Sequence, residues 1–329
     1  MQWDRRSRLG KVSIRADSRN RFLHTERDWA HAGIQEAAYA ALAKGLAASE
    51  LWSLLLGVAE QRAAQRSAAE VQRQWEKDRF VCPSYVDQRT LNQLDGHLLA
   101  AASAFEALEF SPLAPLGSCS AIALASQNKI VSTIRGTEVV SDPTNLLALE
   151  SARRLRKNGR QAVKLTTNHR CVRAQAVPKH AGYAAHFRLF CITSAGHERK
   201  DQGFLVESLS EHIQTHLNAL NRLEQHGYGF PDRSLKILAT RECQALAERI
   251  AGGVGSLGGT PVLFETLTHN YYDGLRFMIS ARSAGGEHMP LIDGGAFDWL
   301  RKLTSNNKLV FVASGLGSQL AAYLYRLPG

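Results

Sequence analysis

The sequence has no run of eighteen apolar residues, so we predict no membrane-spanning segment. Its first residues, MQWDRRSRLGKVSIRADSRN, lack the apolar core of a signal peptide, which argues against export. The five cysteines are odd in number and show no CxxC spacing, so neither a disulfide framework nor a cysteine zinc site is predicted. Together these absences favour a cytoplasmic protein with reduced thiols.

What is present indicates a globular protein with a helical extension. A chain of 329 residues with 44% apolar content suits one large domain with an extra element, or two domains. Residues 29–77 contain no proline and carry apolar side chains at helical spacing, which predicts two or three helices. The stretch FVCPSYVDQR (80–89) breaks that pattern. We therefore predict a basic tail and helical extension over 1–80 and the main domain over 81–329.

Predicted strands and helices are mixed in the main domain. Helices are expected over 90–108, from Asp142 onward, and over 204–227, which is amphipathic. Few strands alternate strictly with helices, so we predict an α+β fold with a mixed, mainly antiparallel sheet flanked by helices. The predicted strands are 121–125, 129–134, 162–167, 170–175, 186–193 and 235–240, then TPVLFETL, GLRFMISAR and KLVFVASGLG.

Positive charge is concentrated in one block. The net charge is +10, and residues 151–200 hold twelve Lys or Arg residues and one acid, Glu198. So one-sided a block attracts anions such as nucleotide phosphate, RNA or an acidic metabolite. A solvated basic face would have the same composition, so charge alone leaves the choice open.

Two other patterns are similar to known sites and are rejected. GVGSLG (253–258) satisfies GxGxxG, yet it follows a predicted helix and precedes a predicted strand, the reverse of a dinucleotide-binding turn. His212 and His216 are four residues apart on the long helix, but neither an HExxH motif nor a third ligand accompanies them. We interpret them as ordinary helix-surface histidines and predict no metal site.

The segment HRCVRAQAVPKHAGYAAHFRLF (169–190) predicts a hairpin suited to a triphosphate. Arg173 on the first strand would fork onto phosphate oxygens, because the strand fixes its guanidinium. Residues 176–185 supply a loop to close over the ligand. Phe190, four residues after His186, supplies an aromatic face for a base.

This arrangement resembles motif 2 of the class II aminoacyl-tRNA synthetases. That motif consists of an aromatic or apolar residue, Arg, any residue and an acid, then a loop, then Arg or His, three residues and Phe. Here Val172-Arg173-Ala174-Gln175 and the segment from His186 to Phe190 fill those places. The helix over 90–108 with EFSPLAPLG (109–117) is similar to motif 1, and VASGLGSQL (312–320) stands where motif 3 falls.

Further segments are similar to histidyl-tRNA synthetase and its non-synthetase relative, the regulatory subunit of ATP phosphoribosyltransferase. TEVVSDPTNLLALESARR takes the place of an Arg-Pro-x-x-Thr segment and its helix. HNYYDGLRFMI (269–279) resembles a Tyr-Tyr-Thr-Gly strand, and LIDGGAFDWLRKL (291–303) resembles a Gly-Gly-Arg-Tyr-Asp segment. The likeness runs over about 91–320 and implies a class II synthetase-like domain.

The resemblance implies a set of site residues. Catalytic roles fall on Arg173 and Gln175. The nucleotide would be bound by Arg173, His186, Phe190, Gly315 and Gly317, and the substrate by Thr144, Tyr271, Tyr272, Gly294, Gly295 and Asp298. ATP and Mg²⁺ are the candidate cofactors. The resemblance also implies a homodimer through residues near 90–116, with a partner enzyme or RNA as further candidates.

Several departures set this sequence apart. Motif 3 ends in Leu320 instead of the arginine that would hold the γ-phosphate, and the acid of motif 2 is replaced by Gln175. Leu267-Thr268-His269-Asn270 stands where the family has Arg-Gly-Leu-Asp, so the arginine that helps histidine activation is missing. The sequence also ends nine residues after Leu320, without an anticodon-binding domain. Ordinary charging of tRNA with histidine is therefore not expected.

Three hypotheses stay open. A synthetase-like paralogue would bind an amino acid or an adenine nucleotide and act as a regulatory or accessory subunit. An enzyme would adenylate a small amino or carboxylic acid for a non-tRNA acceptor, with Arg170, Arg188 or Arg326 replacing the motif 3 arginine. An RNA-binding protein would use the 151–200 block and the arginine-rich tail.

Overall fold

A computed structural model describes residues 35–159, 161–177 and 182–327. The chain divides into two compact units, one up to Leu46 and one from Ala47 onward. In the first unit, helix α1 (Glu36–Ala40) continues into a π-helical turn at Ala41–Gly45. The predicted basic tail lies outside the described residues.

The second unit begins with two helices that leave apolar side chains exposed. They are α2 (Ala48–Ala64) and α3 (Ala68–Lys77). A capping box starts α3, in which the Ser67 hydroxyl accepts from the Glu70 backbone and the Glu70 carboxylate accepts from Ser67 N. Neither helix buries a residue, and Val71 and Trp75 are about half exposed. The helical extension is thus present, while a domain boundary at residue 80 stays a prediction.

The described residues of the second unit contain ten strands. They are β1 (Glu106–Ala107), β2 (Leu113–Pro115), β3 (Thr137–Val139), β4 (Val163–Val172), β5 (His186–His197), β6 (Ser234–Ala239), β7 (Val262–Thr266), β8 (Leu275–Arg282), β9 (His288–Phe297) and β10 (Leu309–Leu316). Eight form one sheet in the order β1-β4-β5-β10-β9-β8-β6-β7, and β2 pairs with β3. All neighbours in the large sheet are antiparallel except the two outermost pairs, which are parallel. The predicted mixed, mainly antiparallel sheet is confirmed.

Helices cover both faces of the large sheet. One face packs against α4 (Gln88–Ala101), α6 (Gly203–Glu224), α7 (Gln244–Gly253) and α9 (Ser318–Leu324) in a core that includes Phe190 and Ile192. The other face packs against α5 (Pro143–Asn158) and α8 (Trp299–Thr304) in a core that includes Leu165 and Cys191. Because side chains alternate along a strand, even positions of β5 face α6 and odd positions face α5.

Two histidines of α6 are core residues. His212 and His216 are each 0% exposed. The Ser314 hydroxyl lies 2.9 Å from His212 Nδ1 and 2.8 Å from His216 Nε2, and Ser194 Oγ lies 3.1 Å from His212 Nε2. The interpretation of these residues as helix-surface histidines is wrong, because the sheet covers this side of α6 and supplies hydroxyls to both nitrogens of His212 and to Nε2 of His216.

The strand predictions over 121–125 and 129–134 are also wrong. The chain forms a π-helical turn at Ser118–Ile122 and a 3₁₀ turn at Gln127–Lys129 instead. The cause is Glu138, which is 2% exposed and whose carboxylate accepts from the N–H groups of Gly117 and Cys119. In contrast, β9 was not predicted as a strand, since its proline and paired glycines disfavour one.

Candidate ligand-binding pocket

A cavity of about 590 Å³ lies over the α5 face of the large sheet, within the range typical of small-molecule sites. The hairpin of β4 and β5 forms one wall, and the ends of β8, β9 and β10 form the other. The cavity wall includes eight of the predicted site residues: Thr144, Arg173, Gln175, Tyr271, Tyr272, Gly294, Gly315 and Gly317.

Arg173 is held rigidly at the edge of this cavity. It directly follows β4, and its backbone N–H donates to Ala185 O at 2.9 Å. Its side-chain Nε donates to Ser141 O at 3.0 Å, and Nη2 donates to Asp142 Oδ2 at 3.2 Å. The guanidinium carbon lies 5.0 Å from the centre of the Phe187 ring. The Arg173 side chain is 35% exposed and lines the cavity.

Asp142 orients Arg173 and starts α5 at the same time. Its Oδ1 accepts from Thr144 N at 3.0 Å and from Thr144 Oγ1 at 2.7 Å, as an N-cap does. Its Oδ2 is left for Arg173. The Thr144 hydroxyl predicted to bind substrate is thus already used by Asp142, although Thr144 lies on the cavity wall.

Phe190 and His186 do not face the cavity, so their predicted nucleotide-binding roles are wrong. Val172 pairs with His186, which places Arg173 opposite Ala185 and puts Arg173 and the even positions of β5 on opposite faces of the sheet. Phe190 is 0% exposed in the core against α6, where its ring meets His216 edge to face. His186 is buried and lies 2.7 Å from Cys82 O through Nε2.

The aromatic ring beside Arg173 is Phe187. It lies at an odd position of β5, lines the cavity and is partly exposed. The motif pattern selected the phenylalanine at the expected spacing without testing whether it shares a face with Arg173. With His186 paired to Val172, alternation places Arg173 and Phe187 on the same side of the sheet.

The segment that resembles motif 3 contributes backbone and an apolar side chain. Gly315 near the end of β10 and Gly317 just after it line the cavity, and their nucleotide-binding role stays a prediction. Leu320, which stands in place of the expected arginine, also lines the cavity. It packs on the hairpin loop, because a Cβ at Gly182 would lie only 2.8 Å from Leu320 Cδ1. An apolar contact therefore occupies the position where the resemblance implies a phosphate-binding cation.

The remaining predicted substrate residues divide between cavity and scaffold. Tyr271 is 44% exposed on the cavity wall, and Tyr272 is 8% exposed beside it. Burial, and then the negative charge of Asp293, raises the pKa of Tyr272, so its hydroxyl stays protonated. Gly295 lies under the ring of Tyr272, where a Cβ would come within 2.5 Å of the ring, so its role is close packing.

The substrate-binding prediction for Asp298 is wrong. It precedes α8 outside the cavity wall and pairs with Lys302 at 2.9 Å. A carboxylate spaced four residues from a lysine at the start of a helix is stabilised on the helix itself.

Sequence reasoning missed a second Arg–Asp pair on the cavity wall. Arg276 Nε donates to Asp293 Oδ1 at 2.9 Å, and Nη2 donates to Asp293 Oδ2 at 2.8 Å. Arg276 lies on β8 and Asp293 on the adjacent β9. The available signal was a single cation inside the apolar strand GLRFMIS, with a single acid in the neighbouring segment LIDGG.

The basic block is largely neutralised by acids from other parts of the chain. Among its described cations, six form ion pairs: Arg153, Arg154, Lys164, Arg173, Arg188 and Arg199. Their partners are Glu150, Glu106, Glu211, Asp142, Asp95 and Glu207. Counting charges over residues 151–200 does not show this pairing of positive with negative charges, because all six acids lie outside that range.

The three arginines considered as substitutes for the motif 3 arginine are engaged elsewhere. Arg170 Nη1 lies 3.0 Å from His186 Nδ1 and donates to Gln319 at 3.1 Å. Arg188 pairs with Asp95 of α4 at 2.9 Å, and Arg326 donates to the Thr90 hydroxyl at 2.8 Å. Arg188 is among the residues that line the cavity, but the partners of the three arginines, Asp95, Gln319 and Thr90, are not.

The segment joining α3 to α4, residues 78–87, is hydrogen-bonded to both described ends of the hairpin loop; we call it the connector. Arg79 Nη2 donates to Gln175 O at 3.1 Å. The Tyr85 hydroxyl donates to Gly182 O. Because Gln175 and Gly182 both line the cavity, the connector couples the helices before it to the wall of the site.

This arrangement of sheet, hairpin and helices is a class II aminoacyl-tRNA synthetase-like fold, and the predicted resemblance is confirmed at that level. Histidyl-tRNA synthetase from S. aureus matches with a TM-score of 0.52 and 16% identity, over 71% of this chain and 64% of that one. The chain thus spans less than two thirds of the length of that enzyme.

Two further solved structures share the fold. An ATP phosphoribosyltransferase regulatory subunit/histidyl-tRNA synthetase from Bacillus halodurans matches at 13% identity and TM-score 0.56, over 74% of this chain and 81% of that one. A histidine–tRNA ligase subunit from Alicyclobacillus acidocaldarius matches at 14% identity and TM-score 0.53, over 74% and 95%. No family model and no curated protein matches the sequence. At these identities the likeness shows the fold.

Over the part of the chain that the structure describes, no helix is long and apolar enough to cross a membrane.

Proposed function

We propose that this chain is a synthetase-like paralogue that binds an amino acid, an adenine nucleotide or both, and acts as a cytoplasmic regulatory or accessory subunit without ordinary tRNA charging. The observation that carries the proposal is the combination of an oriented Arg173 with an apolar Leu320 on one cavity wall. The site keeps one anchor for a ligand anion and has a leucine where the resemblance implies the second anchor.

The cavity residues include some of the groups that an adenine nucleotide would need. The Phe187 ring offers a face for the base, and Arg173 beside it offers a fork for one phosphate or carboxylate. Lys129 is a further cation on the cavity wall. ATP would supply an activated phosphoryl linkage when bound, and Arg173 and Phe187 would orient it.

A protein-bound Mg²⁺ fits less well. Within the described ranges, no three His, Cys, Asp or Glu side chains lie together as a metal site. The cavity carboxylates Asp142 and Asp293 are both already paired with arginines. We therefore assign no step to a metal held by the protein alone; Mg²⁺ would enter with nucleotide phosphates.

The connector supports a regulatory rather than a purely catalytic role. It ties α2 and α3, which leave apolar side chains exposed, to the loop beside the ligand site. A partner enzyme that contacts those helices could thereby sense whether the pocket is filled. Leu113 and Leu116, at 42% and 43% exposed, also support the proposed homodimer through residues near 90–116.

The two alternatives, an adenylating enzyme and an RNA-binding protein, each depended on features that the structure does not support. Adenylation of a small acid relied on His186 and Phe190, which are buried away from the cavity, and on substitute arginines that are engaged with other protein groups. RNA binding relied on a basic block whose described cations are mostly ion-paired. Neither alternative is favoured by a specific contact of the pocket.

The proposal predicts ligand binding without activation chemistry. The wild-type protein with ATP, Mg²⁺ and each of the common amino acids should show no ATP–pyrophosphate exchange above a blank, because one phosphate anchor is missing and such contacts typically contribute about 3–4 kcal/mol of transition-state stabilisation. Robust exchange with any one amino acid would contradict it and would favour the adenylating enzyme. A Leu320→Arg variant is the matched comparison, since it restores the cation at the position where the resemblance places it.

A further inference from the structure

The Arg276–Asp293 pair lies on the cavity wall, and the proposed function assigns it no role. Both residues line the cavity, and two parallel hydrogen bonds of 2.9 and 2.8 Å join them. Such a bidentate pair fixes the plane of the carboxylate as well as its position. Asp293 therefore has one defined orientation before any ligand arrives.

The carboxylate, rather than the guanidinium, is the more exposed partner. The Asp293 side chain is 43% exposed, whereas that of Arg276 is 19% exposed. The Arg276 guanidinium also contacts two other side chains. Its Nη1 lies 3.2 Å from His269 Nε2, and its carbon lies 5.2 Å from the centre of the Tyr272 ring. A ligand entering this end of the cavity would therefore meet a hydrogen-bond acceptor.

The chemistry of that acceptor selects the ligand group. Each oxygen of a carboxylate can accept a second hydrogen bond, so Asp293 can bind a donor while it stays paired with Arg276. A protonated primary amine is the donor that gains most, because the bond is charge-assisted. Tyr271, 44% exposed and also on the cavity wall, offers an aromatic face that attracts a cation.

Asp142 does not compete for the same role. Its two oxygens are occupied by Thr144 and Arg173 and serve to orient the anion-binding guanidinium. The cavity thus has one oriented cation at the hairpin and one oriented carboxylate on the opposite strands. These are the two complementary charges that an amino acid requires.

We propose that Asp293, fixed in place by Arg276, binds the protonated amine of the ligand. This inference rests on the proposed function, because it assumes that a ligand occupies the pocket. It restricts the ligand to compounds that carry a primary amine. An amino acid meets this requirement, and a carboxylic acid that lacks an amine does not. Arg276 acts here as a positioning residue.

The test compares ligands with and without the amine. The twenty common L-amino acids are titrated calorimetrically into the wild-type protein near pH 7, and each binder is compared with its N-acetyl and 2-hydroxy analogues. We expect the amine-free analogues to bind on the order of tenfold more weakly or worse. Asp293→Asn should weaken the amino acid by a similar factor and leave its analogues unchanged. Asp298→Asn, outside the cavity, should bind as the wild type does.

The possible failures are distinguishable. Equal wild-type binding of an amino acid and its N-acetyl analogue, or an Asp293→Asn variant that weakens all ligands alike, would overturn the inference and leave the proposed function standing. If the wild type binds neither an amino acid nor ATP, the proposed function fails and this inference fails with it. Should Asp293→Asn not fold by circular dichroism, Asp293→Glu keeps the charge and must retain the preference for the amine.

Discussion

Phe190→Ala is expected to lower the free energy of unfolding by about 3–5 kcal/mol, the usual range for truncating a buried phenylalanine. The ring is 0% exposed and lies in the core between β5 and α6, where removal leaves a cavity that its neighbours cannot fill. Chemical denaturation monitored by circular dichroism gives this number. The same variant should bind ligands of the folded protein normally, because the side chain does not reach the pocket.

Phe187→Ala is the matched comparison, three residues earlier on the same strand. Its ring is partly exposed on the cavity wall, so we expect a stability loss of only about 1–2 kcal/mol. Nucleotide binding should weaken instead, because the ring next to Arg173 is lost. If Phe187→Ala were the more destabilising change, or Phe190→Ala the one that weakens binding, the assignment of the two faces of β5 would be wrong.

The protein is expected to lose stability in mild acid because of its buried histidines. Burial lowers the pKa of His216 to about 3 and lowers the pKa of His212 well below its ordinary value. The unfolded chain takes up these protons near pH 6.5, so their contribution is complete above that pH and is lost as the pH falls towards 3. For His216 alone the free energy of unfolding should fall by about 2 kcal/mol between pH 8 and pH 5.

The measurement is denaturant unfolding at several pH values for three proteins. His216→Gln, which keeps a hydrogen-bonding group near Ser314, should show a pH dependence smaller by about 2 kcal/mol between pH 8 and pH 5, whereas Asn218→Gln on the exposed side of α6 should match the wild type. Asp95 acts in the opposite direction: burial raises its pKa to about 6, against the influence of Arg188, so it favours the fold as pH falls. An unchanged pH dependence in His216→Gln would exclude the buried-histidine explanation.

Most of the architecture could be predicted from the sequence, because strand and helix periodicity survives in single segments. Asp142 and Pro143 predicted the start of α5, and the apolar spacing of residues 204–227 predicted α6. The failures came from residues whose conformation depends on distant partners. The turn at Ser118–Ile122 depends on a buried carboxylate some twenty residues further along the chain, at Glu138.

The site was predicted in outline and corrected in detail for the same reason. Spacing identified Arg173 and the hairpin, which are local features. It could not tell that His186 pairs with Val172, and one step of register decides which face Phe190 occupies. Arg276 and Asp293 are seventeen residues apart in the sequence, and they meet only because β8 and β9 are adjacent in the folded sheet.

These corrections change what the site can do. The sequence predicted a triphosphate held by Arg173, without the motif 3 arginine, and a base stacked on Phe190. In the structure Asp142 orients Arg173, the ring beside Arg173 is Phe187, and Arg276 orients the carboxylate of Asp293, which lines the same cavity. The proposed ligand is therefore a small zwitterion, for which these two groups supply the complementary charges.

The most direct measurement is a thermal unfolding series with ATP–Mg²⁺ and with each common amino acid, on the wild type, Arg173→Ala and Arg199→Ala. Arg199 belongs to the same basic block but pairs with Glu207. We predict that at least one ligand raises the Tm of the wild type and of Arg199→Ala, since a ligand at a hundred times its Kd adds about 2.7 kcal/mol, and that Arg173→Ala loses this shift. A ligand-induced shift that persists in Arg173→Ala, or none in the wild type, would contradict the account.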